Sequence, residues 1–285
     1  YRPTGAIVAA PTCSLPETVG GERNWDYRYA WIRDASLTVE ALHIGACSDE
    51  AEDFVSFMTS AAGGRVMGDA PLQIMYGIGG EHDLSERTLP HLRGWRDSAP
   101  VRVGNGAWTQ EQLDVYGELL DCIHLSREKL GELHPEIQRF VADLADAAAR
   151  RWSERDAGMW EMRGETQHHL SSKVLCWVAL DRAVSLAPAL AGHARAEAWT
   201  RERDAIREAI LERGWNPDRQ AYAQAFDSSE LDAAALLMPL LGFLPATDPR
   251  MRSTIEAIAS DLTEDGLVLR YRNREGLNAD GLSGE

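Results

Sequence analysis

Eight helix-patterned stretches alternate in character along the chain, and this alternation limits the fold more than any other feature. Residues 34–47 are largely apolar (Leu37, Val39, Ala41, Leu42, Ile44), whereas 49–62 place Phe54, Val55 and Met58 on one face and acids on the other. The contrast repeats. Residues 109–131 carry Leu113, Tyr116, Leu119, Leu120 and Ile123, and 135–152 are amphipathic. Residues 171–187 hold the nearly unbroken apolar run Val174–Leu180, and 191–213 are charged with a thin stripe of Trp199, Ile206 and Ile210. Residues 229–243 are apolar through Ala233–Leu241, with Asp227 or Ser228 as the cap, and 248–262 show Met251, Ile255, Ile258 and Leu262 on one face. Helices apolar nearly all round, alternating with helices apolar on one face, are what two concentric layers require. The expectation is an all-α chain of four hairpins in an incomplete double ring, with an open helical stack as the alternative that no repeat supports. Residues 1–33 form an extended opening segment, 34–285 a partial barrel, and GLVLRYR (266–272) is strand-like.

In such a ring every loop entering an inner helix lies at one end. Those loops are 20–33, 63–108, 153–170, 214–228 and 266–285. The first contains Trp25, Tyr27, Tyr29 and Trp31, alternating with Asp26, Arg28, Ala30 and Ile32 and followed by Arg33 and Asp34. Ring faces beside an Arg–Asp pair suit a neutral polyol, because rings cover apolar C–H faces and charged groups take hydroxyls. The competing reading is a buried aromatic strand with Asp34 as a helix N-cap.

Net charge is −16, from 45 acidic and 29 basic residues, which argues against nucleic acid and anionic membrane as partners. No apolar run is long enough to span a bilayer, and YRPTGAIVAAPTCSLPE lacks the charged and helical regions of a signal peptide. Cys13, Cys47, Cys122 and Cys176 are scattered without a CxxC pair and read as free thiols of a reducing compartment, hence a cytoplasmic protein.

DAGMWEMRGETQHHLSSK (156–173) is the second notable stretch. Trp160 and Met162 flank Glu161, and partial desolvation would keep such a carboxyl protonated toward neutrality, as a general acid requires. A salt bridge to Arg163 is the alternative. His168 and His169 are adjacent and lack HExxH spacing, so no metal is expected.

GGERNWDYRYAWIRDA (20–35), LQIMYGIGGEHDLSERTLPHLRGW (72–95), QLDVYGELLD (112–121), GMWEMRGE with SKVLCWVALDRA, and GLVLRYR with DGLSGE together resemble the bacterial glucoamylase- and trehalase-like hydrolases of glycoside hydrolase family fifteen. The resemblance implies an (α/α)6 toroid, of which about four of the six hairpins are present. It also implies inverting hydrolysis of terminal α-glucosidic bonds by two carboxylates, without a cofactor. Glu161 is then the general acid, Arg33 and Asp34 grip the terminal glucose, and Arg270 is the second arginine of that subsite. Trp31 and Trp160 wall the pocket, and Trp108 packs near the acid. The family's β-sandwich has no counterpart here. Its Ser-Glu base motif is unmatched, so the base is expected beyond Glu285, with Glu285 itself as the alternative.

The partner so implied is a small α-glucoside. Trehalose, maltose, starch ends and isomaltose all present the same terminal ring, so the second subsite selects among them. Two readings compete: a sugar-binding module without catalysis, and a helical terpene cyclase, whose DxDD cluster is absent.

Overall fold

A computed structural model describes residues 1–16, 19–45, 49–67, 70–130, 132–161, 164–190 and 193–272. Cys47, Met162, Arg163 and the DGLSGE stretch with Glu285 lie outside the described residues. Contacts group these residues into two units, one holding Tyr1–Glu111 and Asp121–Asp143, the other Gln112–Leu120 and the chain from Leu144 onward.

In the first unit, β1 (Ala30–Trp31) pairs antiparallel with β2 (Met75–Tyr76) and leads directly into α1 (Ile32–Ile44). The Ile32 N–H extends that pairing to the Ile74 carbonyl. α1 buries Ile32, Ala35, Ser36 and Val39, a single stripe at helical spacing, and leaves Leu37 and Ile44 exposed. The expected all-round burial of this helix is thus replaced by burial on one side. α2 (Asp49–Met67) packs against α1 and buries Phe54, Val55, Met58 and Ala62, the face read from its pattern. The long segment after it contains short pairings, β3 (Arg87–Thr88) with β4 (Arg102–Val103), and two 3-10 turns, Trp95–Asp97 and Gly106–Thr109. The second turn is capped by Asn105, whose side chain accepts the Ala107 N–H at 3.0 Å.

α3 (Asp114–Leu130) and α4 (Pro135–Arg151) each contribute to both units. α3 starts later than the pattern suggested, because Gln110 is extended and the Leu113 N–H turns to the Asp156 carboxylate.

The second unit is built on α5 (Leu170–Leu186), in which every residue from Val174 to Leu180 is buried. α6 (His193–Arg213) runs against it and buries only Trp199, Ile206 and Ile210 among its large apolar side chains. Two indoles lock α4 to α6: Trp199 Nε1 donates to Asp146 at 2.7 Å and Trp152 Nε1 to Glu202 at 3.1 Å. The hairpin β5 (Trp215–Asn216) and β6 (Ala221–Tyr222) follows. The expected seventh helix, 229–243, is a 3-10 turn Ala233–Leu236 and one helical turn, α7 (Leu237–Leu240). Its cap is Asp232 rather than Asp227 or Ser228, since residues 230–233 spend their backbone groups on Gln224, Arg270 and Tyr271. Pro239 supplies no N–H, and Gly242 at φ +78° ends the turn with the Phe243 N–H bonded back to Met238. α8 (Pro249–Asp261) is capped by Asp248 and ends in the hairpin β7 (Thr263–Glu264) and β8 (Leu267–Val268), turned by Asp265 and Gly266, both at positive φ.

Candidate active site

The aromatic stretch is organised by its polar residues. Trp25, Tyr27 and Tyr29 are half-buried, whereas Asp26 has no exposed surface. Its carboxylate accepts from the Arg28 guanidinium (2.8 Å twice), the Tyr29 hydroxyl (3.2 Å) and the Gly104 N–H (3.1 Å), and its carbonyl accepts from the Asn105 amide (3.3 Å). Burial works to raise this carboxyl, but the donated hydrogen bonds from Arg28 and Gly104 win and hold it below the ordinary range.

Trp31, buried, closes β1 and occupies the N-cap position of α1, with Tyr27 edge-on at 5.4 Å. Arg33 and Asp34 therefore fall in the first helical turn. Asp34 is not the cap; as an acid there it complements the helix N-terminus. Although its surface is open, enough protein surrounds the carboxyl that desolvation pushes it upward, with Arg33 opposing. Trp108 sits half-buried in the 3-10 turn capped by Asn105, the residue that also reaches Asp26. Trp31, Arg33, Asp34 and Trp108 all belong to the first unit.

The second unit holds Trp160, Glu161 and Arg270. The loop between α4 and α5 is closed at its base by reciprocal backbone bonds between Asp156 and Gln167, at 2.9 and 3.0 Å. Asp156 is fully buried and accepts the N–H groups of Leu113 and Gly158 (3.2 Å each) and the Ser172 hydroxyl (2.6 Å). Burial pushes its carboxyl up to about 6, against the Ser172 bond and the charge of Lys173. Lys173 is itself buried, donates to the Glu154 carbonyl, and is driven downward by desolvation. Gly158, at φ +72°, lies against the His169 ring, where a Cβ would collide.

From this base the loop presents Trp160 and Glu161. Glu161 is half-buried at φ +57°, a conformation that a non-glycine residue adopts at a cost of ~1–3 kcal/mol and that concentrates at functional sites. Its N–H bonds the Gly158 carbonyl at 3.3 Å. The Trp160 indole donates to both carboxylate oxygens of Asp232, at 3.1 and 2.9 Å, and the Arg270 guanidinium lies 5.4 Å from the Trp160 ring centroid. The fold thus gathers Arg270 onto the tryptophan that precedes Glu161, across 110 residues of sequence. Loops 153–170 and 214–228 also meet within this unit, through the His169–Ala225 bridge and the Phe226 N–H on the His168 carbonyl.

The adjacent histidines take part in this pairing rather than in a ligand cluster: His168 stacks on Phe226, and desolvation drives the buried His169 downward. Among the described residues no group of three or more His, Cys, Asp or Glu could hold a metal ion. Cys13, Cys122 and Cys176 are free thiols. Among the described residues no helix is long and apolar enough to cross a membrane. Sequence reading missed Asp26, Asp232 and Gln224. The first two carried a signal, an acid inside an aromatic or apolar run, but each also has partners remote in the chain, Gly104 and Asn105 for Asp26 and Trp160 for Asp232.

The elements define an all-α chain, and its structural neighbours give it the (α/α)6 toroid class. A glycosidase variant in complex with glucose superposes at a TM-score of 0.71 with 22% identity, covering 94% of this chain and 67% of that one. A glucoamylase from Saccharomycopsis fibuligera superposes at 0.62 with 16% identity, covering 88% and 55%. The chain belongs to glycosyl hydrolases family 15, which it matches over residues 1–285. It is 49% identical to a trehalase of Mycobacterium tuberculosis over 289 residues and 46% identical to one of Mycolicibacterium smegmatis over 285, in both cases across 100% of this chain. It spans 42% of the length of each of these relatives.

Proposed function

We propose that the protein is an inverting hydrolase of terminal α-glucosidic bonds, of the trehalase type. The observation that carries this reading is Glu161 itself: a half-buried carboxyl in a left-handed turn, next to an indole that is anchored on Asp232 and faced by Arg270. The identity with trehalases across the whole chain supports it, as does the glucose complex of a structural neighbour. Glu161 protonates the glycosidic oxygen while a second carboxylate activates water on the opposite face of the ring. We place that second carboxylate outside the described residues. Within the first unit, Arg33 and Asp34 are the groups suited to sugar hydroxyls and Trp31 supplies an apolar wall; within the second, Arg270 is suited to a hydroxyl and Trp160 supplies a wall beside Glu161.

The test is proton NMR of sugar released by the full product of the gene encoding this chain. Inverting attack on trehalose yields one β-glucose from the attacked ring and one α-glucose from the leaving ring, so the first spectra show equal amounts. Maltotriose and isomaltose, taken in parallel, yield β-glucose first if they are substrates. Two α-glucose molecules from trehalose would overturn inversion. Glucose binding without any release would establish a sugar-binding module instead.

A further inference from the structure

Asp232 is buried, lies outside every motif named above, and gathers several parts of the second unit's site. Its Oδ1 accepts the Ala234 N–H at 2.8 Å, its Oδ2 accepts the Gln224 amide at 3.1 Å, and both oxygens accept the Trp160 indole. Its backbone pairs with Tyr271, and the next residue, Ala233, donates to the Arg270 carbonyl at 2.8 Å. Gln224 is itself tied into the start of α5, its carbonyl accepting the Leu170 N–H at 2.8 Å. One carboxylate therefore joins three segments remote in sequence: the loop ending in Trp160 and Glu161, the strand-like run around Gln224, and the segment carrying Arg270.

We infer that Asp232 is a positioning residue, whose carboxylate holds the Trp160 indole so that Glu161 and Arg270 keep one geometry toward the same sugar ring. The inference rests on the hydrolase reading of this site. Asp232 touches no sugar; it acts through an indole N–H and a backbone pairing. An indole without this anchor would leave the loop at Glu161 without its tie to Asp232 and would take away the surface on which Arg270 lies. Misplacement of a catalytic group by about 1 Å costs on the order of 100-fold in rate. Among the described residues His169 also lies near Asp232, where burial drives the imidazole downward and the Asp232 charge opposes, and the Arg270 guanidinium faces the indole.

A double-mutant cycle in the full gene product tests this. Asp232→Asn keeps the shape and one acceptor oxygen but loses the charge, and Trp160→Phe removes the indole donor. Asp232→Asn alone should lower kcat by roughly 10- to 100-fold with little change in KM. In the Trp160→Phe background the same substitution should cost no more than about twofold, because the coupling runs through the missing N–H. The Trp160 indole resonance, assigned by its loss in Trp160→Phe, should lie downfield and be protected from exchange in the wild type, and move upfield in Asp232→Asn. Additive losses in the cycle would overturn the inference while leaving the hydrolase reading intact. A wild type without activity on any α-glucoside would overturn both. If Asp232→Asn does not fold, the wild-type indole decides: protection supports the inference and free exchange overturns it.

Discussion

Glu161 and Asp26 illustrate opposite uses of a carboxyl. Glu161 stands half-buried in a left-handed turn. Glu161→Gln keeps its size and removes the transferable proton, so turnover by the full gene product should fall by about 100- to 10,000-fold with binding of glucose retained. Near-normal kcat in that variant would remove Glu161 from the acid role. Asp26, with no exposed surface and its oxygens occupied by Arg28, Tyr29 and Gly104, is scaffolding for the aromatic stretch. Asp26→Asn leaves a donor where an acceptor is needed and should destabilise the protein by ~1–3 kcal/mol, read as a lowered urea midpoint at unchanged slope. Types and spacing brought forward Glu161 beside Trp160 and the Arg33–Asp34 pair, with a salt bridge and a helix cap open as readings, and the family resemblance decided between them. That Asp26, rather than its aromatic neighbours, is the buried member required the remote donors Gly104 and Asn105, which no local pattern reveals.

At the level of elements, helix faces were legible because burial follows the 3.6-residue period: the all-apolar run of α5 and the thin stripe of α6 are both buried as read. Termini and the seventh helix were not. Residues 230–233 satisfy their backbone through tertiary partners, and local propensity cannot foresee those. The close passage of α3 over α5 is likewise tertiary. Gly117 lies against the Leu175 backbone, where a Cβ would meet the carbonyl group itself. Gly117→Ala should therefore force the helices apart and cost ~1–3 kcal/mol or more, despite alanine's better helix propensity. A melting temperature equal to or above that of the wild type would show that the contact yields without cost.

For the whole molecule, stability against pH sums groups of opposite sign. Asp156 ionises near 6 when folded against 3.8 when free, so between those values only the unfolded chain releases this proton. Raising the pH through that window removes up to ~3 kcal/mol of stability, and nothing further is lost above it. Asp26, held low, acts the other way: its contribution is full above its unfolded value and fades as the pH falls through its folded one. Urea midpoints across pH 3 to 8 should show Asp156→Asn removing a downward slope between about 4 and 6. A difference from wild type that does not vary with pH would mean that Asp156 titrates normally.

Sequence by itself determined the helical class, the buried faces of α2, α5 and α6, and the family, because hydrophobic periodicity and short motifs are local properties that survive without coordinates. Tertiary structure alone decided which carboxylates are buried, that Asp232 holds Trp160, and that Arg270 lies on that indole. Those relations join residues tens of positions apart. They depend on where the backbone finds its hydrogen-bond partners and on which charges are stripped of water, and neither is written in any one stretch of the chain.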